Sequence, residues 1–332
     1  MAAAVAWMER RQVVLYLVAL AVGALVGMSV PAVAQPAEAV INPVIALLLY
    51  ATFVGVPFGS IGRAFRDGRF LTTTLILNFI LVPVVVLGLS RMVAHDEVLL
   101  VGVLLVLLAP CIDYVIVFTG LAGGAHERLL AAAPILMLGQ LLLLPVYLWL
   151  FVGADVGTDV DLAPLVDAFV MLVVLPLAAA GLTRLAAPRT RWGRPVKDGV
   201  LGAMVPLMML TLATVVASQI SGVGQQITSL LLAIPVYVLF AAIMVPVGIV
   251  AARVARLDMP GARAVVFSGV TRNSLVILPV ALALPAAFDL VPLVVVTQTL
   301  VELVVMVILV RLVPRAVRTR VTSAVTAEHR AL

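Results

Sequence analysis

The chain has 332 residues, of which 64% are hydrophobic and only 11% charged. A soluble domain carries about 25% charged residues, so the composition excludes an ordinary soluble protein and marks an integral membrane one. The formal charge of +5 would suit a nucleic-acid binder, but the basic residues stand in short clusters between apolar runs, where they set topology instead.

About ten apolar stretches of the roughly 20 residues that a bilayer requires are predicted. They lie near 13–32, 40–58, 71–91, 97–122, 128–152, 162–184, 199–219, 229–252, 263–285 and 291–313. They are too long for buried core helices, and the alternation of a β-barrel is absent. Arg10-Arg11 before the first run and Ala32-Val33-Ala34 after it imitate a signal peptide. Val13 to Val30 exceeds a usual signal core, and removing it would spoil the repeat, so it is read as a retained first span. With the N-terminus in the cytoplasm, every lysine and arginine except Arg91 and Arg272 falls on the cytoplasmic side. The acidic loop Asp155, Asp159 and Asp161 falls outside. The positive-inside rule therefore expects a multi-pass inner-membrane protein with both termini cytoplasmic.

The fourth span, EVLLVGVLLVLLAPCIDYVIVFTGLAGG, is interrupted at Pro110-Cys111-Ile112-Asp113. Proline has no N–H and clashes one turn back, so the helical ladder breaks there and frees carbonyls at membrane depth. That is tolerated only against protein or a watery cavity. The ninth span is interrupted in the same way at Thr271-Arg272-Asn273-Ser274, with Pro279 just after. Each broken span follows a polar loop with an aspartate, Asp96 or Asp258, placed to cap the helix start. Division near residue 155 puts an interrupted helix fourth in each set of five, and five being odd, the halves are inverted. The expected fold is an all-α polytopic membrane protein of ten transmembrane helices. It has a 5+5 inverted repeat (1–154 and 155–314), discontinuous helices four and nine crossing, and a cytoplasmic tail, 315–332. Paired broken spans point to a secondary transporter's binding site.

The candidate substrate-binding residues are Cys111, Asp113, Arg272, Asn273, Ser274 and Glu302. Asp113 and Glu302 are the coupling-ion candidates, with Asn78 and Gln298 as supporting polar groups. Cys111 is the only cysteine, which excludes a disulfide framework and a zinc cluster. Its thiol can touch a soft, thiol-seeking cargo such as trivalent arsenic or antimony; the plainer reading is a small hydrophobe. An acid in mid-membrane costs roughly 2.5–3.5 kcal/mol on insertion scales and is read as functional by default. Asp113 and Arg272 are expected to pair where the breaks cross, either as a permanent bridge or as a proton and substrate site. Glu302 lies roughly 17 Å of helical rise into the last span, near the bilayer centre. Gln298 stands one turn before it. Glu302 is either a proton-cycling acid or a neutral, hydrogen-bonded structural one. Gln140 and Gln219 are weaker candidates, and Asp167 lies near a span end. No phosphate-binding glycine loop, metalloprotease motif or Ser-His-Asp set is present, so no enzyme and no cofactor are expected.

At NFILVP (78–83), LAPCIDYVIVF (108–118), TRNS (271–274) and VTQTLVELVVMV (296–307) the chain resembles the arsenical-resistance (arsenite efflux) permeases of the bile acid:sodium symporter-like superfamily. The likeness extends over essentially all ten spans. It implies a panel of spans 1, 2, 6 and 7 and a core of spans 3–5 and 8–10 that holds the crossing. It also implies arsenite export by proton exchange, with Cys111 and Glu302 in the transport path. The chain departs from those permeases in two places. It has Asp113-Tyr114 where they have small or apolar residues, and Val276 where they have a glutamate. Asp113 is therefore expected to have taken over the missing carboxylate's role. The sodium-binding Glu-x-x-Gln form of the ninth span is absent, so sodium coupling of the bile-acid kind is not expected. The expected partners are a small metalloid or anion cargo and the lipid bilayer, with no nucleic acid. An organic-anion carrier, with Arg272 and half-helix N-termini facing a carboxylate, is the alternative cargo class. A receptor or scaffold with a structural polar centre is the alternative outside transport.

Overall fold

The computed structural model describes residues 7–8, 11–55, 61–112, 114–152, 174–187, 193–282, 284 and 288–317. Asp113, the expected repeat boundary at 154/155, the start of the sixth span with Asp167, and nearly all of the tail lie outside them. Among the described residues the regular elements are helical, and the β pairing shown is an isolated bridge, Pro110 with Arg272.

Helices α1 (Gln12–Ser29) and α2 (Ala34–Gly55) come first, then the short α3 (Ile61–Arg66) and α4 (Gly68–Ser90). Asp67 starts α4 by accepting the Phe70 N–H at 3.2 Å. The Thr73 and Thr74 hydroxyls turn back onto the carbonyls of Arg69 and Phe70, so an apolar helix carries them without open donors. A π-helical turn, Leu77–Leu81, interrupts α4 just before Pro83. Proline supplies no N–H to the Phe79 carbonyl one turn back; the Tyr147 hydroxyl donates to it instead, at 2.6 Å.

The fourth span divides into α5 (Glu97–Leu107) and α6 (Tyr114–Leu121), and α7 (His126–Val152) follows. The described part of the sixth span is α8 (Leu175–Ala186), after which come α9 (Gly193–Gly202) and α10 (Met204–Val254). The ninth span divides into α11 (Met259–Val270) and α12 (Ser274–Leu282), and α13 (Val291–Ala316) closes the series. Among the described residues, four stretches are long and apolar enough to cross a membrane: Gly68–Ser90, His126–Phe151, Leu230–Val254 and Val291–Ala316. The protein is a multi-pass, all-helical membrane protein.

The structure differs from the sequence reading at α10. A loop is expected between 219 and 229, yet the backbone stays helical from Met204 to Val254. No proline falls between Pro206 and Pro235, and the glycines Gly222 and Gly224 each cost a helix only about 1 kcal/mol. The two ends of α10 serve different neighbours. Its first part lies on α1 and α2: a Cβ on Gly23 would stand 2.4 Å from the Ala213 carbonyl oxygen, so only glycine allows that approach. Its last part lies on α11 and α13, with the Tyr237 hydroxyl donating to the Val294 carbonyl at 3.1 Å. On the α1–α2 side, α8 is fixed to α2 by Tyr50 and Thr183 (2.7 Å) and by Arg184 donating to the Val54 carbonyl. Helix α5 runs through the middle of the other group, and every residue from Leu99 to Leu107 is buried.

At one end of the bundle, Arg128 pairs with Asp258 through two bonds of 2.6 and 3.0 Å and with Asp67 at 3.3 Å. This answers the two expected caps differently. Asp96 caps α5 by accepting the Leu99 N–H at 3.1 Å. Asp258 makes no capping bond to α11, because Arg128 takes both of its oxygens. Arg263 reaches across the same end to the last carbonyls of the fourth span, Ala122 and Gly123, and to those of Pro314 and Val317 at the end of α13.

Candidate functional site

The two helix breaks meet. Helix α5 ends at Leu107 and α11 at Val270, and the extended residues after them run antiparallel. The Asn273 N–H donates to the Ala109 carbonyl at 2.8 Å, and the Cys111 N–H donates to the Thr271 carbonyl at 3.3 Å. Pro110 and Arg272 face each other between those bonds, in the non-hydrogen-bonded position of an antiparallel pair. Neither contributes an N–H to the ladder there. The proline that breaks the fourth span thus sits where its missing donor is not needed. The Arg272 N–H, turned away from the ladder, donates to Glu302 Oε2 at 2.9 Å.

The Arg272 side chain is fully buried. Its Nη2 donates to the Ser268 and Gly269 carbonyls at 2.6 and 2.8 Å and to Asn78 Oδ1 at 2.9 Å; Nη1 points to the Leu107 carbonyl at 3.4 Å. Those carbonyls are the last of α11 and α5, which the breaks leave without helical partners. A cation there also opposes the negative ends of two helix dipoles. The guanidinium lies 5.5 Å from the centre of the Phe240 ring, close enough for a cation–π attraction.

Asn78 is buried at the start of the π-helical turn. It accepts from Arg272 and donates from Nδ2 to the Thr74 carbonyl and to Ser268 Oγ, both at 2.9 Å. Asn273 caps α12: its Oδ1 accepts the Val276 N–H at 3.3 Å, and its Nδ2 donates to Gln140 Oε1 of α7 at 3.3 Å. On α13, Gln298 Nε2 donates to Glu302 Oε2, the oxygen that also takes the Arg272 N–H. At the crossing, Ser274 Oγ and Gln298 Oε1 are buried with no hydrogen-bond partner among the described residues. Cys111 is buried beside the bridge. Every described residue of the crossing, from Ala109 to Ile112 and from Thr271 to Ser274, is closed off from the surface.

The structure thus brings together Arg272, Asn78, Glu302 and Gln298 by direct contact, and places Cys111, Asn273 and Ser274 along the paired backbones. Asp113 lies outside the described residues, and with it the expected Asp113–Arg272 pair. The sequence reading does not include Ser268 or Phe240, and Gln140 is one of its weaker candidates. Ser268 had a signal: it is a lone hydroxyl in an apolar run, one turn before Arg272. Phe240 had none, since an aromatic in an apolar helix looks the same whether it faces lipid or a cation.

Chemically, the site combines a thiol, a carboxyl group tied to the crossing backbone, and orphan polar atoms in a buried interior. Among the described residues, no group of three or more His, Cys, Asp or Glu side chains could hold a metal ion.

No curated protein matches the chain closely enough to count as a relative. Residues 42–230, more than half of the chain, match the family model described as the Sodium Bile acid symporter family. The match includes the first break and the polar turn around Asn78, and it ends before the second break. The members of that family are transporters, which accords with paired broken helices in an all-helical membrane protein. The chain belongs to the sodium bile acid symporter family.

Proposed function

We propose that the protein is a carrier of the inner membrane, built on paired broken helices, that exports arsenite or a related metalloid in exchange for protons. The observation that carries the reading is the single thiol, Cys111, at a backbone bridge whose facing residue, Arg272, is bonded through its N–H to Glu302. A trivalent metalloid is a soft centre that a lone sulfur binds weakly enough to release. Its hydroxyls suit Ser274 Oγ and Gln298 Oε1, both buried without a partner among the described residues. Protonation of Glu302 removes the negative charge that strengthens its bond from the Arg272 N–H, so proton binding bears directly on the crossing. Asp113 is the second coupling candidate, in the role of the acid absent at Val276.

One part of the expected topology has support at one end of the bundle. The segments around Asp67, Arg128, Asp258 and Arg263, which the basic-residue distribution assigns to one side, meet there. The organic-anion alternative is less favoured. It needs the Arg272 guanidinium to receive a carboxylate, and that group is buried and already engaged with four oxygens.

The test is arsenite uptake into everted membrane vesicles, with and without an imposed pH gradient. Gradient-dependent uptake that disappears in Cys111→Ala is the expected result. Absence of arsenite flux, with uptake of a bile-acid-like carboxylate in its place, would select the organic-anion carrier. In the same assay Asp113→Asn abolishes transport if Asp113 carries the coupling proton.

A further inference from the structure

A groove of about 830 Å³ opens on the outer face of the bundle between α4 and the last turns of α10. Arg69 and Arg256 stand among its lining residues, and Ile76, Leu81, Val250 and Val254 supply much of its apolar wall. Both arginines are exposed, and neither side chain has a hydrogen-bond or ion-pair partner among the described residues. From Arg69 to Leu81 the wall runs roughly 18 Å along the helix, close to the depth of one leaflet of a hydrocarbon core about 30 Å thick.

Arg256 carries a second, independent signal. It follows the end of α10 with a φ of 50°, in the left-handed region. The Leu257 N–H closes back onto the Ala252 carbonyl and the Arg256 N–H onto the Arg253 carbonyl. This is the helix-ending motif whose left-handed position glycine fills most easily. An arginine there is strained, and local folding does not call for it. Its side chain is nonetheless one of those lining the groove.

We propose that this groove is a binding site for a phospholipid with an anionic headgroup. Arg69 and Arg256 hold the headgroup, and one acyl chain lies along Ile76, Leu81, Val250 and Val254. The charge complementarity and the leaflet-deep apolar wall favour a lipid over a protein partner. A neighbouring groove between α10 and α13 is almost wholly apolar, with Arg315 as its single charged lining residue, and that side chain bonds to the Arg311 carbonyl. It serves as an internal comparison.

The experiment uses the purified full-length protein in a neutral detergent, with equal amounts of phosphatidylglycerol and phosphatidylcholine. Retained lipid is counted by native mass spectrometry. The wild type is expected to prefer phosphatidylglycerol, and Arg69→Ala and Arg256→Gly each to lower that preference about fivefold. Arg256→Gly is also expected to keep or raise the thermal midpoint, since glycine relieves the left-handed strain, which separates loss of lipid from loss of fold. Arg315→Ala is expected to leave the preference unchanged. Equal retention of the two lipids would overturn the proposal, as would an undiminished preference in Arg256→Gly. Displacement of the lipid by millimolar inorganic phosphate would make the occupant a free anion and overturn it too.

Discussion

Replacing Arg272 with methionine keeps most of the side chain's length and removes its donors. In the native protein those donors serve the Ser268 and Gly269 carbonyls and Asn78 Oδ1 at 2.6, 2.8 and 2.9 Å, with the Leu107 carbonyl farther off at 3.4 Å. The three short bonds decide the magnitude. Each buried acceptor left open costs about 1–3 kcal/mol, so Arg272→Met should destabilise by at least about 3 kcal/mol. Desolvation of the guanidinium, no longer required in the variant, offsets part of any larger figure. Against a typical stability of about 5–15 kcal/mol the loss is large, and it corresponds to a midpoint roughly 5–10 °C lower. Cys111 provides the assay, because it is the only cysteine and is buried at the crossing. A thiol-reactive dye added during heating in detergent labels the protein only when the crossing opens. Arg272→Met should label at the lower temperature, with Arg272→Lys in between because an ammonium has three donors and no fork. A methionine variant that labels at the wild-type temperature would show that the guanidinium is not what holds the two helix ends.

Three further outcomes follow from named contacts. Glu302→Gln keeps an acceptor for the Arg272 N–H but has no proton to release, so vesicle uptake should lose its response to an imposed pH gradient while the thermal midpoint changes little. Tyr147→Phe opens the Phe79 carbonyl at the π-helical turn and should cost about 1–3 kcal/mol in thermal unfolding, because Pro83 offers no substitute donor. Gly102→Ala puts a Cβ 2.8 Å from a Val294 methyl group where α5 meets α13. It should destabilise by about 1–3 kcal/mol, and Val294→Ala in the same protein should recover most of that loss.

The legible parts of this protein are those written locally. Pro110 and the polar run Thr271–Ser274 announce helix breaks because proline removes a donor and charge is expensive in lipid. Asp96 announces a cap because its acceptor is three residues from the N–H it takes. The identity of Arg272's partners is not local. Asn78 lies 194 residues away and the Leu107 carbonyl 165, and a single sequence carries no sign that these positions meet. The paired reading of Arg272 with an acid looked for charge to balance charge. Its acid, Asp113, lies outside the described residues; the described contacts of Arg272 include helix-end carbonyls and an amide, which a broken helix supplies by its own geometry. The expected Asp258 cap fails because a cap is only the nearest use for an aspartate at a helix start, and Arg128, 130 residues distant, offers a better one.

The register of the bridge links the two breaks more tightly than their composition does. In an antiparallel pair the residues alternate between those that exchange backbone bonds and those that do not. With Pro110 opposite Arg272, the donors used are those of Cys111 and Asn273, and the N–H left over belongs to Arg272, which gives it to Glu302. A proline one position later, at 111, would remove the donor to the Thr271 carbonyl and leave that carbonyl open at membrane depth. A slip of the second strand by one residue would turn the Arg272 N–H into the ladder and away from Glu302. The acid on α13 is therefore tied to a particular register of α5 against α11, and any movement that changes the register must change what Glu302 accepts. Under the proposed proton exchange, that dependence would give a proton on Glu302 a mechanical consequence at the crossing.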